Sequence, residues 1–303
     1  PLWSRGLGDV YKRQQRAGVK CAATLACAWL SYRYVEGPLR RRLAVPGTAR
    51  AAFGMAIASC VLLAPIGVFV NRQGYPQSWR QDVARGGRVF NAGGPRGIVS
   101  LYGDSIAASF TKVIVEACRE KGFECRSMAV PAAQALPAGG GLSDDPLWDD
   151  AIRAWKRDRP DMVILGVNWA IYHGRKPDFA RRVIDELEPL TDRIVILSEA
   201  PMLPVPEVRS FLRSGGSLPL LEDVEQGEVR KQVNSSLRAV AGGKVVVIDV
   251  DSFLVDENGL MTVVDSAGRS LFHDKRHLGY RGASLVGPQL RRELDRVGER
   301  SGP

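Results

Sequence analysis

Three short stretches of this 303-residue chain carry side chains whose types and spacing suit acyl chemistry. The first, Gly103-Asp104-Ser105, stands between an apolar run (GIVSLY, 97–102) and a helix-like stretch. A serine there has its backbone N–H at a helix N-terminus, where a developing oxyanion is stabilised. A plain helix N-cap would occupy the same slot. The second, Asp274-Lys275-Arg276-His277, precedes the last helix-like stretch, and His277 is one of three histidines, with His173 and His273. Asp and His three residues apart on a turn let the carboxylate hold the imidazole Nδ1–H while Nε2 faces a hydroxyl, the base-and-orienter arrangement a serine nucleophile requires. A solvated surface turn would look the same. The third, Gly166-Val167-Asn168, follows the apolar run DMVIL (161–165). An Asn amide in that position can donate to an oxyanion, or simply cap a turn. Each motif is weak alone; their coincidence at the same edge of one sheet carries the reading.

The elements that must position these residues alternate. Apolar runs at 97–102, 123–130, 161–165, 193–197 and 244–248 read as strands. Helix-like stretches lie at 106–121, stopped by Gly122, and at 147–157, 177–190, 220–241 and 281–297. Continuous Val/Ile/Leu strands spaced by helices predict an α/β fold, a parallel sheet covered on both faces, over residues 97–303. Ligands of such sheets bind beyond the carboxyl ends of the strands, where Ser105 and Asn168 fall. Residues 71–96, rich in Gly, Arg and Pro, read as a linker.

The N-terminal third has a different character. The chain carries 42 Lys+Arg against 33 Asp+Glu, a net +9, with 45% hydrophobic and 25% charged residues, which excludes a disordered or fibrous chain. Residues 1–96 hold 15 basic and 3 acidic side chains, whereas residues 97–303 hold 27 and 30. The basic excess therefore belongs to one segment and speaks for no nucleic-acid partner. Residues 51–70 (AAFGMAIASCVLLAPIGVFV) lack any charge. At 1.5 Å per residue they span about 30 Å and predict a transmembrane helix. A weaker apolar span lies at 17–35, and the loop between the two carries Arg40, Arg41, Arg42 and Arg50. Arg72, Arg80, Arg85 and Arg88 flank the far side, so charge alone leaves the topology close to a tie. Residues 1–14 (PLWSRGLGDVYKRQ) begin without Met and look like a translated adaptor, giving the expectation of a non-native tail on a fragment that lacks its own N-terminus.

The order of GDS, GxN and DxxH resembles the SGNH (GDSL-like) hydrolase superfamily. The resemblance implies a three-layer α/β/α flavodoxin-like domain in which Ser105 is nucleophile and, through its N–H, oxyanion donor. His277 would be general base and acid, Asp274 its orienting carboxylate, and Asn168 a further oxyanion donor. Trp169 stands where the family usually has Asp. The family's Gly-block donor has no clear counterpart, since Gly139, Gly140 and Gly141 come late in the loop and residues 132–134 occupy the expected place. Asp104 is expected to contact substrate, and Trp169 and Tyr172 to stack on a sugar ring at the rim or else to pack their loop onto the core. LSYRYVEGPLRRRL, through Ser31, Tyr32, Glu36, Pro38 and Arg40 to Arg42, resembles the end of an acyltransferase-3 membrane domain. That likeness implies the last helix of that domain at 15–36, a cytoplasmic loop at 37–50, one or two membrane helices in all, and an SGNH domain outside a bacterial plasma membrane.

The implied activity is O-acyl transfer, acetyl above all, to a cell-surface polysaccharide or lipopolysaccharide through an acyl-serine. The partners would be the lipid bilayer and a glycan acceptor. This chain would bind no cofactor itself; acyl-CoA would be the donor used by the missing membrane domain. A membrane-anchored carbohydrate O-deacetylase and a non-catalytic glycan-binding module remain the alternatives. Cys118 and Cys125 would either pair in an oxidising compartment or remain buried thiols. No CxxC or His/Cys cluster suggests a metal.

Overall fold

The computed structural model describes residues 29, 33, 76–130, 136, 146–173 and 178–300. Contacts divide the chain into two units, Pro1–Gly74 and Tyr75–Pro303, and every strand among the described residues belongs to the second. The expected membrane helix at 51–70, the tail, the acyltransferase-like segment and Cys21, Cys27 and Cys60 lie outside the described residues. Among the described residues no helix is long and apolar enough to cross a membrane.

The strands are β1 (Arg88–Pro95), β2 (Ile98–Gly103), β3 (Phe123–Ala129), β4 (Met162–Gly166), β5 (Arg193–Leu197), β6 (Leu220–Leu221), β7 (Val245–Ile248) and β8 (Leu260–Met261). Six of them form one sheet in the order β1-β3-β2-β4-β5-β7, while β6 and β8 pair separately. Only β1 runs antiparallel in the large sheet. Its five parallel strands therefore follow the doubly wound order 2-1-3-4-5, whose switch point lies between β2 and β4.

Alternation along the strands splits the core into two. Met162 and Ile164 of β4 join a cluster with α2 (Ser105–Lys121) and α9 (Gly287–Arg300). Val163 and Leu165 face a second cluster built with α3 (Pro146–Asp158), α5 (Phe179–Leu187) and α7 (Val224–Ala239). These are the two helical layers that continuous apolar strands demand. In the second layer Tyr102, Trp148 and Trp155 meet edge to face, and Trp155 Nε1 donates to Ser100 Oγ at 2.8 Å.

Some elements depart from the sequence expectation. The segment 71–96 is no linker throughout: α1 (Pro76–Ala84) and β1 lie within it, and the compact unit begins at Tyr75. β1, an exposed edge strand reading RVFNAGGP, carries no apolar alternation that would reveal it. The helix expected at 220–241 starts later, because Asp223 caps α7 by accepting from Gln226 N and Leu220 and Leu221 pair with β8. The one expected at 281–297 divides into α8 (Tyr280–Ala283), a 3-10 turn and α9. Pro288, lacking an N–H, suits the first turn of α9 and not the interior of a longer helix. The short helices α4 (Trp169–His173) and α6 (Val208–Arg213) also belong to the second unit. Cys118 and Cys125 are buried free thiols, and the hydrogen bond between them together with burial pushes the Cys118 thiol well above its ordinary value.

Candidate active site

Two glycines set the distance between the first two motifs. Gly103 and Gly166 are register partners at the carboxyl ends of β2 and β4. A Cβ on Gly103 would sit 1.9 Å from the Gly166 carbonyl oxygen, and one on Gly166 would meet Ala107 Cα at 3.0 Å. Helix α2 thus crosses directly over the strand ends, which only side-chain-free backbone permits.

Asp104 fastens this seam. It is the N-cap of α2, where Oδ1 accepts from Ile106 N at 2.8 Å, while Oδ2 accepts from Asn168 N at 2.9 Å. Burial pushes its carboxyl up, against the pull of those two N–H groups and of His277. The expectation that Asp104 contacts substrate is corrected: the side chain is 7% exposed and both oxygens are taken by backbone amides. The N-cap role thus belongs to Asp104, leaving Ser105 as the first helical residue. Its N–H falls among the orphan donors of the first turn.

The third motif arrives from the other end of the sequence. Ser105 Oγ lies 2.8 Å from His277 Nε2, and His277 Nδ1 lies 2.8 and 2.9 Å from the two Asp274 oxygens. Asp274 Oδ1 also accepts from the N–H groups of Arg276 and His277, each at 2.9 Å. Burial alone would raise the Asp274 carboxyl, but those N–H groups and the His277 ring outweigh it and hold it below the usual carboxylate range. The turn is closed by a Phe272–Leu278 bridge and by His273 N donating to His277 O, and Leu203 N donates to Lys275 O. His273 itself is exposed.

Asn168 lines a cavity of about 210 Å³ together with Ile106, Glu199, Met202, Val229 and Arg276. Trp169 does not reach the rim: it is 2% exposed, and its Nε1 donates to Leu197 O at 2.9 Å, so the stacking role expected of it is corrected to core packing. Tyr172 lies on α4, and its side chain, like residues 131–135 and 137–145, falls outside the described residues. Sequence reasoning missed Glu199 and Asn234. Glu199 follows β5 at the same sheet edge, and Oε2 accepts from Ala170 N at 3.1 Å. Asn234, fully buried on α7, accepts from Glu199 N at 2.8 Å and donates to Glu199 O at 3.0 Å. An acidic residue directly beyond a buried strand was the available signal.

A doubly wound α/β domain carrying a Ser-His-Asp hydrogen-bonded chain at its switch point has the layout of a serine-dependent acyl hydrolase or transferase. The chain belongs to the family of SGNH domains fused to AT3 domains, whose family model matches residues 75–292. Among solved structures it is similar to the periplasmic domain of the Salmonella ser. Paratyphi A lipopolysaccharide acetyltransferase, at 17% identity over 65% of this chain and 83% of that one, TM-score 0.49. It is also similar to Est24, a carbohydrate acetylesterase from Sinorhizobium meliloti, at 13% identity over 66% and 99%, TM-score 0.41. The M. smegmatis aryl esterase is matched at 15% identity over 66% and 99%, TM-score 0.41. No curated protein sequence matches.

Proposed function

We propose that this chain performs acyl transfer through an acyl-Ser105 intermediate, passing an acetyl group to a hydroxyl of a cell-surface polysaccharide. The observation that carries the reading is the contact of 2.8 Å between Ser105 Oγ and His277 Nε2, with Asp274 behind the ring. His277 takes the Ser105 proton as the hydroxyl attacks the donor's acyl carbon, and the N–H of Ser105 and the Asn168 amide stabilise the oxyanion. The same imidazole gives that proton to the leaving group; it then takes the proton of the acceptor hydroxyl as that oxygen attacks the acyl carbon, and returns it to Ser105 Oγ as the ester bond to Ser105 breaks. With water as acceptor, the product is free acetate and the enzyme acts as an esterase.

Membership in a family of domains fused to AT3 domains supports the rest of the proposal. Residues 15–36 would end an acyltransferase-3 membrane domain, 37–50 would be cytoplasmic and 51–70 would cross a bacterial plasma membrane. The domain from residue 75 would stand outside, meeting the lipid bilayer and a glycan acceptor. Acyl-CoA would be consumed by the membrane domain and would not reach Ser105. The test is trapping: a serine-directed fluorophosphonate should label the purified chain once, and Ser105→Ala should abolish both labelling and hydrolysis of an aryl acetate. Full hydrolysis by Ser105→Ala would refute the nucleophile assignment.

A further inference from the structure

Two carboxylates, those of Asp104 and Glu199, pin the segment that presents Asn168. Asn168 N donates to Asp104. The next two N–H groups, of Trp169 and Ala170, point at Glu199, the latter at 3.1 Å. Three consecutive backbone donors are thus shared between residues from the β2 end and the β5 end. Glu199 is itself fixed, because buried Asn234 holds its backbone N–H and C=O together. Such a double clamp on one residue next to a cavity positions its side chain closely.

We infer that Glu199 is a positioning residue for the chemistry at Ser105: by accepting from the N–H groups of Trp169 and Ala170 it fixes the segment carrying the Asn168 amide. The inference rests on the acyl-serine reading above. Its charge state matters, since a carboxylate holds an N–H more strongly than a neutral acceptor does. Burial pushes the Glu199 carboxyl up to about 7, the Ala170 and Trp169 N–H groups oppose this, Asp104 adds to it and Arg276 opposes it. From α7, Arg230 lines the same cavity, but its guanidinium is engaged by Glu222 at 2.7 and 2.8 Å and by Asp251 at 2.6 Å. The clamp therefore tightens as pH rises through neutrality.

The experiment compares fluorophosphonate labelling rates of the full chain and its Glu199→Gln and Glu199→Ala variants from pH 6 to pH 8. Each variant is compared with the wild type at the same pH, so any response to pH that all three share cancels in their ratios. Glu199→Gln should label at the wild-type rate at low pH, where Glu199 is itself neutral, and lag about threefold at high pH. Glu199→Ala, which has no acceptor, should be slower by about tenfold or more at high pH. A Gln ratio that stays constant with pH, or an Ala variant that labels at the wild-type rate, overturns the inference. A second readout does not need activity: in the 15N-alanine-labelled full chain, the Ala170 amide should show a pH-dependent shift that Glu199→Gln removes. An Ala170 amide that ignores pH overturns the inference. A titrating Ala170 amide in a protein that the phosphonate never labels overturns the acyl-serine reading instead, because the contact is then present and the nucleophile is not.

Discussion

The serine end and the histidine end of the site are built by opposite means. Ser105 and Asn168 sit on a seam of buried backbone, where Gly103 touches Gly166 and the Asp104 side chain is 7% exposed. His277 and Asp274 sit on a surface turn that closes on itself, with side chains 29% and 46% exposed. In the first, the sheet and helix α2 fix the geometry, so a change there strains the fold. In the second, a four-residue turn fixes it, so a change there spares the fold and strikes the chemistry. The lesson is that activity and stability should separate between the two ends.

The largest expected effect comes from the histidine end. His277→Ala should lower the rate of aryl acetate hydrolysis by about 10³-fold or more, which corresponds to about 4 kcal/mol or more of lost transition-state stabilisation. Asp274→Asn should fall nearly as far, because its NH2 donor facing Nδ1 favours the tautomer that carries the proton on Nε2, where the base must be free. Urea unfolding of both should stay within about 0.5 kcal/mol of the wild type. A large stability loss in either would erase the contrast.

Gly103→Ala comes next and tests the other end. The added Cβ would lie 1.9 Å from the Gly166 carbonyl, so strand or helix must move. We expect a loss of about 3 kcal/mol in unfolding free energy, the upper range for overpacking, with activity falling as a consequence. An unchanged unfolding midpoint would mean that the seam yields easily.

Asp104→Ala should cost about 2 kcal/mol, since the Ile106 N–H loses its cap and the Asn168 N–H its acceptor. Asp104→Asn, which keeps one acceptor and has no carboxylate to desolvate but turns an NH2 donor toward the other N–H, should recover only part of the loss in the same measurement. Recovery of nothing would show that the charge, and not the acceptor, holds the two loops.

The smallest effect is a pH dependence. The folded-state value of Glu199 is raised from 4.5 to about 7, so the folded protein binds more protons than the unfolded chain between these limits. Stability therefore falls as pH rises through that window, by on the order of 1 kcal/mol, because the half-buried side chain keeps part of its hydration. Glu199→Gln has no proton to lose there, so its unfolding free energy should gain on the wild type between pH 4.5 and 7. A difference that is flat with pH would place the Glu199 carboxyl in ordinary solvent.

Much of the fold was legible because most of the parallel strands are apolar runs and some of the helices start or stop at proline or glycine, as at Pro146 and Gly122. β1 was not, since an exposed edge strand buries too little to need apolar alternation. Trp169 was misplaced for a related reason: a tryptophan after a strand can turn outward or inward, and only the Leu197 carbonyl beside it settles the direction. Glu199 was invisible as part of the site, because its partners come from the loop after β4 and from helix α7.

By itself the sequence determined the three motifs, the strands and helices that carry most of them, and the local Asp274–His277 turn. All of these depend on neighbours a few residues away, where side-chain type and spacing suffice. Tertiary structure alone decided that β4 lies beside β2, and so that Asn168 stands against Asp104. It alone brought Ser105 to a histidine 172 residues further along the chain. Strand order follows from how two helical layers cover one sheet, a property of the whole packed core that no local pattern encodes.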